Sequence, residues 1–178
     1  MARQAEVSAQ PVLLGLLMSR PKHGYELYQE FGSELGRVWR LGLSQLYAEL
    51  NALEEAGLVT SQAEPQANRP PRKVFSLASA GQEAFLDWVQ QPSSHPREIR
   101  LECLARLYFY FRLALPGLDK FVAAQKAVCQ AQVKSLARAA VETEDPFGRL
   151  VLDFRQGQLQ ATIHWLDRCL EVSWASSS

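Results

Sequence analysis

From Leu43 to Gly57 the chain reads LSQLYAELNALEEAG, with Leu43, Leu46, Leu50 and Leu53 spaced by three and four. That rhythm puts four leucines on one stripe of a helix turning about 100° per residue, so one face is committed to a core. The other face carries Ser44, Gln45, Ala48, Asn51 and Ala52, with the acids held back to Glu54 and Glu55. A face meant only for water is normally filled with Lys and Glu. Small and amide side chains suit a surface that approaches something closely, and a DNA major groove, which admits a helix and presents base-edge donors and acceptors, is the leading candidate. An ordinary amphipathic helix is the alternative.

The run VLLGLLMS after Pro11 is apolar over two turns and predicts a first helix buried on most of its circumference, with Gly15 allowing close approach. Arg20, Pro21 and Lys22 break it. HGYELYQEFGSELG then begins a second helix with Tyr25, Leu27, Tyr28 and Phe31 as its apolar members, so Tyr25 is expected in the core and His23 is a structural residue at the helix start. A connector from Arg37 to Gly42 leads into the leucine-striped helix, whose Ser44 either faces the groove or caps the helix. Three helices with short breaks have the layout of a helix-turn-helix domain. Gly57 reads as a C-cap, and Leu58–Thr60 and Arg72–Leu77 (RKVFSL) read as short strands around EPQANRPP, which is expected to be irregular. Asn68, Arg69, Arg72 and Lys73 give this hairpin a positive end. Alone it would be a solvated turn; after a helix-turn-helix it reads as the wing of a winged helix.

A fourth helix runs from Ser79 through Phe85 and Trp88, and PSSHP at 92–96 interrupts the pattern. This divides the chain into a winged-helix domain, 1–92, and an all-helical domain, 93–178. The second domain has an aromatic helix from Arg97 to Leu115 and two long helices, Leu118 to about Val141 and Phe147 to Val172. In the last of these, Leu150, Phe154, Ala161, Trp165 and Cys169 lie along one side and Leu159, Ile163, Leu166 and Leu170 along another. Helices of about 25 residues span on the order of 35 Å. So short a domain cannot wrap them, and apolar residues on more than one side predict a homodimer through this coiled-coil-like half. A self-contained antiparallel pair covered by the aromatic helix is the alternative. The fold class is therefore mainly α: an N-terminal winged helix-turn-helix with a two-stranded wing, and a C-terminal helical dimerisation domain with long antiparallel helices.

Charge changes the picture in one respect. The 178-residue chain has 19 Lys plus Arg against 19 Asp plus Glu, so no whole-chain field recruits nucleic acid. Before Pro92, eight bases face ten acids. Yet Lys22, Arg37, Arg40, Arg69, Arg72 and Lys73 all fall in turns or the wing, while half of the acids lie on the second helix or at the far end of the third. Cys103, Cys129 and Cys169 are odd in number and set among apolar residues, as expected of reduced packing residues in a cytoplasmic protein rather than a disulfide framework or metal site. No apolar run approaches the roughly 20 residues of a membrane span, and MARQAEVSAQP has no signal-type hydrophobic region. Catalysis has no candidate: His23, His95 and His164 are scattered, and no glycine-rich phosphate loop, CxxC or nucleophile-base arrangement is present. Neither a cofactor nor a metal is expected.

The segments HGYEL (23–27), Trp39, LYAELNALEEAGLV (46–59), RKVFSL (72–77) and AGQEAFLDW (80–88) resemble the PadR family of transcriptional regulators. The branch with AphA-type virulence activators is the nearest in pattern, sharing the EPQ..RPPRKVFS wing and QP..HP link. The resemblance covers 12 to about 102 by motif and the remainder by length and layout. It implies a homodimer binding duplex DNA at a two-fold operator. Ser44, Gln45 and Tyr47 would then lie at the front of the recognition helix, and Arg72 and Lys73 on the wing. Lys22, Arg40, Asn51 and Arg69 complete the expected DNA-binding set, with Tyr47 either contacting phosphate or only packing. The usual Gly-Ser-Leu-Tyr-Pro run is here Ser44-Gln45-Leu46-Tyr47-Ala48, and Ala78 replaces a usual capping Thr, so Ser79 is expected to cap the fourth helix. Relatives that sense phenolic acids or drugs imply a small aromatic effector, with Tyr108, Phe111 and Trp165 as candidate lining. The same aromatic residues could instead form core or dimer interface. A winged-helix adaptor that binds protein without DNA is the other function class.

Overall fold

The computed structural model describes residues 8–66, 69–94 and 98–171, with backbone alone at 66 and 69–71. Helix α1, Gln10–Leu17, starts with proline in its first turn and buries Val12 through Leu17. Gly15 is obligatory there: a Cβ would fall 2.4 Å from Cζ of Phe109 and 2.6 Å from Cε2 of Phe85. Helix α2, Gly24–Leu35, buries Leu27, Phe31 and Leu35 at four-residue intervals. Tyr25, expected in the core, is 56% exposed. It lies two residues from Leu27, about 200° around the helix, and so faces away from the stripe.

Helix α3, Leu43–Glu55, sinks Leu46, Leu50 and Leu53 completely into the core. Leu43, expected with them, is exposed because it is the first helical residue, ahead of the turn where the core begins. Gly42 holds the N-cap position without a side-chain bond, so Ser44, one residue into the helix, is not its cap. The end of α3 is closed by Gly57 at φ +71°, with Leu58 N donating to Leu53 O (2.9 Å) and Gly57 N to Glu54 O (3.0 Å). That paired closure needs a left-handed residue, which glycine adopts without a Cβ penalty.

Strand β1 is the pair Lys22–His23, β2 is Val59–Gln66 and β3 is Arg69–Leu77. They form an antiparallel sheet in the order β1-β3-β2, with His23 opposite Val74 and Val59 opposite Leu77. The strands reach well into the EPQANRPP segment expected to be irregular. Proline is tolerated because the register breaks between Glu64 and Gln66, stepping past Pro65, while Pro70 and Pro71 lie beyond the part of β3 that β1 covers. Asn68 lies outside the described residues.

Helix α4, Ser79–Gln90, buries Gly81, Phe85 and Val89. Ala78, not Ser79, is its N-cap residue and makes no side-chain bond. After the link, a widened π turn at Ile99–Cys103 runs into α5, Leu104–Arg112. Phe109 of α5 meets Phe85 edge-on at 5.0 Å, so the helix beyond the link packs into the core of the first half. Two long helices follow, α6 (Leu118–Glu142) and α7 (Pro146–Cys169). The Asp145 carboxylate caps α7 by accepting from Phe147 N (3.1 Å) and Gly148 N (2.8 Å). The two helices fold back on one another and pack chiefly together, burying Phe121, Val122, Cys129, Leu159 and Leu166 near the base of the hairpin. At its tip Val141, Phe147, Leu150, Val151 and Phe154 are exposed. No helix among the described residues is long and apolar enough to cross a membrane.

Candidate nucleic-acid interface

The buried leucines of α3 turn Ser44, Gln45, Tyr47, Ala48 and Asn51 outward, and all five are exposed. Because no side chain closes the helix at Gly42, the leading backbone N–H groups of α3 have no side-chain cap. An uncharged hydrogen-bonding ridge therefore stands at the positive end of a helix dipole.

Beside this ridge a groove of about 570 Å³ runs between the start of α2, the flank of α3 and the wing. Tyr47 forms its α3 side and Arg72 and Lys73 its wing side, with His23, Tyr25 and Gln29 opposite. Tyr47 is 37% exposed. A Cβ on Gly24 would fall 2.6 Å from Cε1 of Tyr47 and 2.9 Å from its hydroxyl oxygen, so the ring lies directly over the start of α2. His23 is held by its strand pairing with Val74, and its Nε2 is 3.6 Å from a Glu64 carboxylate oxygen. The one carboxylate in the groove lining, Glu26, is neutralised by the Arg20 guanidinium, whose hydrogen bond holds its pKa below the ordinary value.

The wing is tied to α3 by a second acid. Glu54 accepts from Ser61 Oγ (2.5 Å) and from Lys73 Nζ (3.2 Å), and these bonds, the first above all, lower its pKa. Lys73 remains half exposed, so its ammonium borders solvent as well as Glu54. Arg72, opposite Glu64 in the ladder, is exposed and makes no ion pair among the described residues.

Of the residues expected to meet DNA, Tyr47, Arg72 and Lys73 line one groove, Ser44, Gln45 and Asn51 are exposed on α3, and Arg40 is exposed in the loop before α3. The side chain of Arg69 lies outside the described residues. Lys22 does not belong to this surface. It is 3% exposed, its Nζ donates to Leu16 O and Ser19 Oγ, and Glu30 lies 2.7 Å away. Its strand pairing turns the ammonium inward, where the carboxylate and carbonyl offset the cost of burial. Sequence reasoning missed Tyr25, Gln29 and His23 as groove residues; the signal available was the HGYEL motif itself, whose tyrosine is off the apolar stripe.

Away from this surface, Tyr108, Phe111 and Trp165 are half-buried and packed against the core. Tyr108 meets Phe109 edge-on at 5.1 Å, and burial pushes its hydroxyl up to about 12. The larger groove of the C-terminal half, about 760 Å³ between α6, α7 and the π turn, is lined by other residues, including Arg100, Leu136, Arg155 and Leu159. No cluster of His, Cys, Asp or Glu among the described residues has a metal-holding arrangement. The three cysteines are free and buried.

The transcriptional regulator PadR-like family matches residues 13–87, and the virulence activator alpha C-terminal family matches residues 99–173. The negative transcriptional regulator PadR of Bacillus subtilis (strain 168) is 30% identical over 97 residues, 54% of this chain and 53% of that protein. The match thus spans about half the length of the curated relative. Among solved structures, Bacillus subtilis PadR in complex with operator DNA is similar at 25% identity, with a TM-score of 0.47, covering 91% of this chain and 96% of that one. The Vibrio cholerae virulence activator AphA is similar at 28% identity, with a TM-score of 0.43, covering 92% and 96%. The N-terminal half of the chain is thus similar to the PadR-like family of transcriptional regulators, and the C-terminal half to the virulence activator alpha C-terminal family.

Proposed function

We propose that this protein is a DNA-binding regulator acting as a homodimer on a two-fold operator, with residues 1–92 as the reading head and 93–178 as the dimerisation part. The observation that carries the reading is the meeting of an uncharged ridge on α3 with a cation-flanked groove. Ser44, Gln45 and Asn51 are of the types that address base edges, while Arg40, Arg72, Lys73 and the Tyr47 hydroxyl address phosphates. The near-neutral head limits non-specific affinity, so binding rests on a few placed contacts rather than on a general field. Support for the dimer comes from the bare apolar tip of the α6–α7 hairpin, where Phe147, Leu150, Val151 and Phe154 repeat with helical spacing. A planar aromatic effector is part of the same reading, beside the half-buried Tyr108, Phe111 and Trp165.

The test is selection of bound fragments from the organism's own DNA, followed by affinity measured across salt. About three phosphate contacts per subunit give a slope of log K on log salt near −5 for the dimer. Arg72→Glu with Lys73→Glu abolishes binding and leaves the dimer intact. A flat salt response, or no selected fragment, removes the DNA reading and leaves the protein-binding adaptor in its place.

A further inference from the structure

Three of the four buried polar or charged side chains among the described residues, Ser93, Arg106 and Gln125, meet at one point, the link residue Ser93. Gln125 of α6 accepts from Ser93 N at 2.7 Å and donates through Nε2 to Ser93 O at 3.0 Å, so one amide holds both backbone groups of one residue. Arg106 of α5 donates from Nη1 to Ser93 Oγ at 2.5 Å and from Nε to Trp88 O at 3.0 Å. Its guanidinium lies 4.5 Å from the centroid of the Trp88 ring and is paired with Glu102 at 2.7 Å. Ser93, Arg106 and Gln125 are all buried. One residue further on, Gln132 Nε2 donates to Ser94 O.

This cluster joins α4 of the head and α5, which packs on the head through Phe109 against Phe85, to α6 of the hairpin. The hairpin otherwise packs chiefly on itself, and its aromatic contact with α5, Tyr110 against Phe121 at 5.3 Å, is apolar. Apolar burial is non-directional and lets packed helices slide or rotate. A two-point amide clamp does not, because both bonds fail if the helix turns, and buried polar groups are retained in other proteins to select one register.

We propose that Gln125 and Arg106 are positioning residues for DNA recognition: by gripping Ser93 they fix the angle of each reading head to the dimerisation hairpin and so set the half-site separation that the dimer accepts. The inference rests on the dimeric DNA-binding reading above. Two rigidly held heads present their α3 ridges at one separation, whereas loosened heads accept several.

The experiment uses the full chain and duplexes that carry two copies of the selected half-site at stepped separations, with dimer mass measured alongside. Wild type is expected to favour one separation over neighbours two base pairs away by about tenfold or more. Gln125→Met, which removes both bonds at similar volume, is expected to reduce that ratio to about threefold or less while single half-site affinity and dimer mass are kept. Should Gln125→Met cost the fold, Gln125→Asn, whose amide is withdrawn by one methylene, gives the same comparison. An undiminished separation preference in the variant, or an equal loss at single and paired half-sites, overturns the clamp alone. A wild-type protein that binds no duplex overturns the DNA reading and this inference with it.

Discussion

Tyr47 covers Gly24 so closely that the smallest possible side chain there would lie 2.6 Å from the ring. The glycine of the HGYEL motif is thus a seat for the tyrosine of α3, and the seat fixes where the phenolic oxygen stands. Gly24→Ala is expected to push the ring outward, costing about 1–3 kcal/mol of stability and weakening DNA binding with it. Tyr47→Phe keeps the packing and removes only the hydroxyl; its melting temperature should stay close to wild type while affinity falls about tenfold, the worth of a hydrogen bond to a charged phosphate. Thermal melts and binding isotherms on both variants separate the two contributions, and equal affinity in Tyr47→Phe would assign the ring to packing alone.

Phe147 is 72% exposed and Phe154 65%, two turns apart on one side of α7. Burying a phenylalanine contributes about 1.5–3 kcal/mol. Phe147→Ser with Phe154→Ser is therefore expected to weaken self-association by at least about a hundredfold without altering helix content. Sedimentation equilibrium and circular dichroism check this; an unchanged mass would place the interface elsewhere.

The wing is fastened to α3 through Glu54, so the fastening has a pH dependence of fixed sign. Ser61 and Lys73 bond the carboxylate and lower its pKa from the ordinary 4.5. A group depressed in the folded state contributes stability above its unfolded pKa and loses it as pH falls through the folded value. The Glu54 contribution should therefore be complete above the ordinary carboxylate range and fade only below it. The difference in melting temperature between wild type and Glu54→Gln is expected to shrink as pH is lowered from about 6 to about 3. A difference that stays constant over that range would mean that the carboxylate charge does not hold the wing.

Burial raises the Cys103 thiol to about 12, and Cys129 and Cys169 are raised for the same reason. None should offer appreciable thiolate near neutral pH. Maleimide is expected to leave Cys103 and Cys129 unmodified in the native protein and to label all three after unfolding, with Cys169, the least enclosed, reacting first. Mass spectrometry against time reads the order. Rapid native labelling of Cys103 would show that the core of the second half opens.

Much of the architecture is local information and was legible without a structure. Leu46, Leu50 and Leu53 declare their common face through spacing alone, and Gly57 marks the end of α3 because few other residues adopt its backbone angle. The outward-facing polarity of Ser44, Gln45 and Asn51 follows from the same periodicity, since whatever is opposite a buried stripe is outside. Tertiary structure decided what depends on distant partners. Lys22 looks like a surface cation in a turn until Leu16, Ser19 and Glu30 close around it. Tyr25 counts as an apolar residue until the sheet and α3 leave it beside a groove, and Gln125 is one more polar position on a long helix until Ser93 arrives from 32 residues away. Periodicity tells a side chain which way to point; the partner that meets it there is set by the folding of the whole chain, because burying a charge or an amide is tolerable only where distant groups complete its bonds.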